Sequence, residues 1–131
     1  MRILGFQRKD WLNYLTGKPK LEEDIFTSFR FSRRDKDWAI GEIVQVVVKP
    51  RSKEREVLGK AVILNKEKRY MPRPLEKLGY PHITDDEVKR DGFTDLYLMW
   101  KWLFYIYGWQ RLVDEPMNKL TLQWIERGLG K

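Results

Sequence analysis

The sequence predicts an α+β fold, and three stretches of it carry the prediction. Two runs of β-formers stand close together, Ile43 to Lys49 (IVQVVVK) and Leu58 to Leu64 (LGKAVIL), joined by the charged stretch Arg51 to Glu56. That pattern reads as two neighbouring antiparallel strands. Thr84 and Glu87 form a capping box, the mark of a helix start. Near the end of the chain Leu120, Leu122 and Trp124 alternate with Lys119, Thr121 and Gln123, the period of a half-buried strand.

The remaining elements follow in chain order. Arg2 to Phe6 reads as a short first strand. Gln7 to Leu15 is expected to be helical, with Trp11, Leu12 and Leu15 on one face and Gly17 as the stop. Lys18-Pro19-Lys20 reads as a basic loop, because proline removes a donor and biases its predecessor away from helix. Ile25 to Phe31 alternates like a strand, and residues 33 to 37 form a charged turn. Asn65 to Pro81 holds Pro72, Pro74 and Pro81 and reads as a long loop with one turn of helix near Glu76. From Thr84 a helix runs to about Asp91, where Gly92 ends it. A second helix starts at Thr94 and Asp95 and closes at Gly108. Apolar side chains crowd most of its faces, which predicts heavy burial, or cover by a protein partner or a second copy through residues 95–107.

A chain of 131 residues fits a single domain spanning 1–131. Its 26 Lys and Arg against 19 Asp and Glu leave a formal charge of +7, which attracts polyanions or simply keeps the surface solvated. Cysteine is absent, which excludes disulfides, thiolate zinc sites and cysteine nucleophiles and suits a reducing cytoplasm. The N-terminal stretch is broken by Gln7, Arg8, Lys9 and Asp10, so no signal peptide is expected, and no apolar run is long enough for a membrane span. His82 is the sole histidine, and no glycine-rich phosphate loop or dinucleotide fingerprint occurs. No metal site and no cofactor are expected.

The basic segments are the candidate binding residues. Lys18, Lys20, Arg30, Arg33 and Arg34 flank a predicted strand, where cations at strand ends and loops can grip phosphates. Trp38 and Tyr70 are candidate rings for stacking unpaired bases, with core packing as the competing role. A second cluster comprises Lys66, Lys68, Arg69, Arg73 and Lys77.

The stretch Ile83-Thr84-Asp85-Asp86-Glu87-Val88-Lys89-Arg90-Asp91-Gly92-Phe93 resembles a hallmark helix of the ASCH family. The pair Tyr107-Gly108 is similar to the aromatic-glycine end of that family's next helix. Ala39 to Val44 and Leu58 to Ile63 resemble its strand entries, in the same order. The resemblance implies a PUA-like fold, a small β-barrel with flanking helices, and an RNA partner held in a basic cleft. Gly17-Lys18 and Thr27 with Arg30 are the counterparts of the family's cleft motif, with Pro19 to Asp24 reading as an insertion. Some small members resemble amidohydrolases of acylated cytidine nucleosides, which use a lysine, a threonine three residues later and a distant glutamate. An enzyme of that kind, or a nuclease, would centre on Lys18 and Thr27, although residue 21 is leucine, and Glu42 and Glu76 are both candidates for the acid.

Overall fold

The computed structural model describes residues 1–33, 35–70 and 82–128. The chain is mixed α+β. Strands β1 (Arg2–Phe6), β4 (Ile25–Arg30), β5 (Ile43–Val48), β6 (Glu56–Arg69) and β7 (Met117–Arg127) form one sheet in the order β1-β5-β6-β7-β4. A two-stranded ribbon, β2 (Leu12–Asn13) with β3 (Lys18–Pro19), and a 3₁₀ turn at Lys20–Glu22 connect β1 to β4. Helices α1 (Asp85–Asp91), α2 (Leu96–Tyr107) and α3 (Trp109–Asp114) connect β6 to β7.

The strand pair read from residues 43–64 is antiparallel, with Val44 opposite Ala61. Its second strand is longer than expected. Residues 65–69, assigned from sequence to a loop, continue β6 because β7 pairs with them as far as Arg69 opposite Met117. Register shifts at Lys60/Ala61 and Ile63/Asn65 bend this strand. Gly59 sits beside the bend at φ 151°, where a β-carbon would lie 2.0 Å from the Glu126 carbonyl oxygen.

The bends curl the sheet into a half-barrel whose edges, β1 and β4, approach one another. Phe6 on one edge meets Phe26 on the other edge-on, with ring centroids 6.2 Å apart. The Arg30 guanidinium of β4 donates to the Gly5 carbonyl of β1 at 2.6 Å. Leu4, Val44, Val46, Ile63, Leu120 and Leu122 fill the concave side. A second apolar cluster, including Phe29, Phe31, Val88, Met99, Leu103 and Met117, packs the helices against the sheet. Strand β4 serves both clusters, sending Phe26 into the first and Phe29 into the second.

Two further expectations are corrected, and one element has no sequence precursor. Residues 7–15 do not form a helix. The Asn13 side chain accepts the Leu15 amide, its carbonyl accepts the Gly17 amide, and Gly17 takes φ 77°, so the chain turns back as a hairpin. Helix α2 is not heavily buried: Met99 and Leu103 are, whereas Tyr97 and Tyr105 are 66% and 88% exposed. Helix α3 has no counterpart in the sequence reading, since a helix of 6 residues leaves little periodicity to detect. The expected turn of helix near Glu76, and prolines 72, 74 and 81, lie outside the described residues. Helix α1 starts and ends as expected, with both halves of the Thr84–Glu87 capping box formed. Among the described residues no helix is long and apolar enough to cross a membrane.

Candidate functional site

A cavity of about 740 Å³ opens where the two sheet edges face the helices. Its walls come from the ends of β1 and β4, the β5–β6 connection, the end of α1 and the inner face of α2. Lys20, Arg30 and Asp91 supply its interior charge.

Lys20 is 3% exposed. The 3₁₀ turn that follows Pro19 carries it inward, and its amide donates to the Trp11 carbonyl at 2.7 Å. Its ammonium donates to Asp91 Oδ1 and to the Thr27 carbonyl, each at 2.9 Å. Asp91 is the last residue of α1 and is itself buried. Burial pushes the Lys20 amine below its ordinary value, against the charge and hydrogen bond of Asp91, while the nearby Arg30 charge adds to the lowering. Burial pushes the Asp91 carboxyl up, against the opposing pull of Lys20 and Arg30.

Arg30 is half-buried and donates to Ser28 Oγ at 2.8 Å as well as to Gly5. Its guanidinium lies 4.8 Å from the centre of the Phe6 ring, and the Lys20 ammonium lies 5.3 Å from the same ring. Burial lowers its proton affinity, but a guanidinium stays charged across the accessible pH range. No described carboxylate forms a salt bridge with it. Two cations thus face a single carboxylate, a balance that favours an anionic ligand.

Aromatic rings make up much of the remaining wall. Trp11 touches Phe93 and Trp102, with centroids 5.4 Å away in both cases. All three are half-buried and line the cavity. Gly92 keeps this cluster tight: it sits at φ 120°, and a β-carbon there would come within 3.1 Å of the Trp11 ring.

The sequence-derived candidates distribute unevenly. Arg30 and Lys20 line the cavity; Lys20 does so as a buried, paired group and not as the exposed phosphate contact expected of it. Lys18 is exposed and outside the cavity walls. Thr27 is buried, its hydroxyl has no hydrogen-bond partner among the described residues, and it too is outside those walls. Lys18 and Thr27 therefore do not meet in this cavity. Arg33 is exposed and pairs with Asp35 at 3.5 Å. Trp38 packs in the core rather than standing open as a ring: it is 4% exposed, with Arg2 and Arg33 held over it at 4.5 and 5.4 Å. Tyr70 is likewise buried, at 9% exposure. Arg34, Arg73 and Lys77 lie outside the described residues.

In the second basic cluster, Lys66 and Lys68 pair with Asp37, and Arg69 with Glu67 and Glu87. Their charge is spent within the fold, away from the cavity. Sequence reasoning missed Trp11, Phe93, Trp102 and Asp91 as cavity residues. The family-like stretch contains both Asp91 and Phe93, so that signal was present, but the pairing of Asp91 with Lys20 spans 71 positions and has no local trace. Among the described residues no group of three or more acidic or histidine side chains converges as metal ligands. Comparison with protein-family models, curated proteins and solved structures returns no match.

Proposed function

We propose that the protein binds single-stranded nucleic acid, with one unpaired nucleotide taken into the cavity between the sheet edges and α2. One observation carries this reading: the Trp11–Phe93–Trp102 cluster and the cations Lys20 and Arg30 line the same cavity, against Asp91 as the single buried acid there. A base stacked on such rings contributes about 1–3 kcal/mol whatever its identity. The charge imbalance receives the phosphate. The volume matches ordinary small-ligand sites, and a duplex cannot offer a splayed base to it. The ASCH-like stretch at residues 83–93, and the PUA-like barrel it implies, support RNA as the polymer and the half-barrel as part of such a fold.

Gel-shift titration of single- and double-stranded RNA and DNA across a salt series tests the reading. Single-stranded RNA is expected to bind most tightly, with affinity falling steeply as salt rises. Arg30→Ala is expected to weaken binding more than Lys18→Ala, whose side chain stands outside the cavity. Absence of binding at low salt, or affinity indifferent to salt, would sink the proposal.

A second reading, hydrolysis of an acylated nucleoside, is favoured by the Lys20–Asp91 pair. A buried amine and a buried carboxyl in contact, both with their charged forms disfavoured, can exchange a proton. Turnover of an acylated cytidine that survives Lys18→Ala but not Lys20→Met is the result this reading requires.

A further inference from the structure

We infer that the β5–β6 connection, residues 49–55, is a preformed phosphate-binding lip that holds the strand flanking the nucleotide in the cavity. The inference rests on the reading of that cavity as a nucleotide site. The segment reads KPRSKER, four cations against the single carboxylate of Glu54. Sequence patterning identified it only as a charged connection between strands.

Four features argue for more. The segment is placed at the mouth: Lys49, Pro50, Arg51, Ser52 and Glu54 line the same cavity as Arg30. It is anchored: the Lys49 amide donates to the Phe6 carbonyl at 2.7 Å, and Pro50 packs so closely on Gly5 that a β-carbon there would lie 2.8 Å from the proline ring. Gly5 is also the residue whose carbonyl receives Arg30, so the lip and the interior cation are fixed to one point of β1.

It is internally ordered. The Ser52 amide donates to the Lys49 carbonyl at 3.0 Å, the Arg55 amide to Ser52 at 3.2 Å, and the Arg55 guanidinium to the Pro50 carbonyl at 3.3 Å. Lys49 takes φ 50° at the start of this turn and pairs with Glu54 at 2.7 Å. Finally, its charge is available. Arg51 and Lys53 are exposed, and among the described residues neither has an ion-pair or hydrogen-bond partner. By contrast, Arg8, held over the Trp11 ring of the wall, pairs with Asp10, and Lys9 pairs with Glu56.

A lip held rigidly beside the cavity, carrying unspent cations, suits a chain of phosphates continuing past the bound nucleotide. Little ordering entropy is left to lose on binding.

Two oligouridylates, one of about three nucleotides and one of about twelve, distinguish the lip from the cavity. Each is titrated by fluorescence anisotropy against the wild-type chain and the Arg51→Ala/Lys53→Ala variant over a salt series. Both substitutions are exposed, so the variant is expected to melt with the wild type. For the long oligonucleotide the variant should lose about tenfold or more in affinity at low salt, and its log–log salt slope should flatten by about 1.4. The short one, held chiefly by the cavity interior, should lose far less affinity than the long one. A variant that keeps the wild-type slope on the long oligonucleotide overturns the lip. So does displacement of that oligonucleotide from the wild type by polyglutamate of equal charge, which would assign the lip to acidic peptides. If the wild type binds neither length at low salt, the cavity reading itself fails, and the lip with it.

Discussion

Lys20 and Asp91 pose the sharpest question at the scale of single residues. Each is buried, and each ion exacts a desolvation cost that only its partner offsets. Removing one leaves the other charge stranded. Asp91→Leu alone should destabilise the fold by about 3–5 kcal/mol, and Lys20→Met alone by a similar amount. The double substitution should cost far less than the sum of the two single losses, because two apolar side chains of similar volume need no partner. Urea unfolding of the four proteins measures this coupling. Additive losses would show that the two groups do not stabilise one another.

Gly92 acts at the same scale. Its φ of 120° ends α1 immediately after Asp91 and leaves room for the Trp11 ring. One glycine thus sets the position of both an acidic and an aromatic wall residue.

Among the elements, α1 is the most completely specified. Thr84 caps it, and Glu87 closes the capping box while also receiving Arg69 at 3.0 Å and Lys119 at 2.8 Å. The helix is thereby tied to β6 and β7, and Asp91 at its far end is held at the cavity. Burial raises the Glu87 carboxyl, but the Lys119 hydrogen bond, the Thr84 amide and the charges of Lys119 and Arg69 together outweigh it, so the net shift is downward from 4.5. A carboxylate with a lowered folded-state value stabilises the fold above its unfolded value and loses that contribution as pH falls through the folded one. Glu87→Gln should therefore cost stability at pH 7, by about 1–3 kcal/mol, and progressively less below about pH 4.5. Thermal unfolding at a series of pH values checks this; a difference independent of pH would contradict it.

Helix α2 shows the opposite economy. Its inner side chains wall the cavity, while Tyr97, Leu98, Phe104 and Tyr105 face outward. Twelve nearly all-apolar residues gave the sequence no polar face from which to read which side would be buried.

For the molecule as a whole, the curl of the sheet decides where chemistry can occur. The order β1-β5-β6-β7-β4 leaves β1 and β4 as edges, and the bends in β6 bring them together. Arg30 spans the remaining gap through Ser28 and Gly5. Its side chain is both a strut between edges and the interior cation of the site. Arg30→Gln should therefore speed amide hydrogen exchange at Phe6 and Lys49 as well as weaken ligand binding. Weakened binding with unchanged exchange would separate the two roles and remove the strut.

What the sequence determined by itself was local. The β1 limits, the hairpin of β5 and β6, the capping box and glycine stop of α1, and the glycine end of α2 all depend on residues a few positions apart, whose capping, alternation and turn chemistry act within the chain; α2 starts one position later than the sequence reading, since Asp95 and not Thr94 caps it. The excess of cations was equally legible. Only the tertiary structure decided where each of them sits. It buried Lys20 and left Lys18 outside the cavity, turned Trp38 and Tyr70 inward, consumed Lys66, Lys68 and Arg69 in ion pairs, and left Arg51 and Lys53 exposed without an ion-pair partner among the described residues. The physical reason is range. A cap or a turn is settled by neighbours along the chain, whereas burial and charge pairing are settled by partners tens of residues away, and Lys20 meets Asp91 only because a curled sheet closes against the end of a helix.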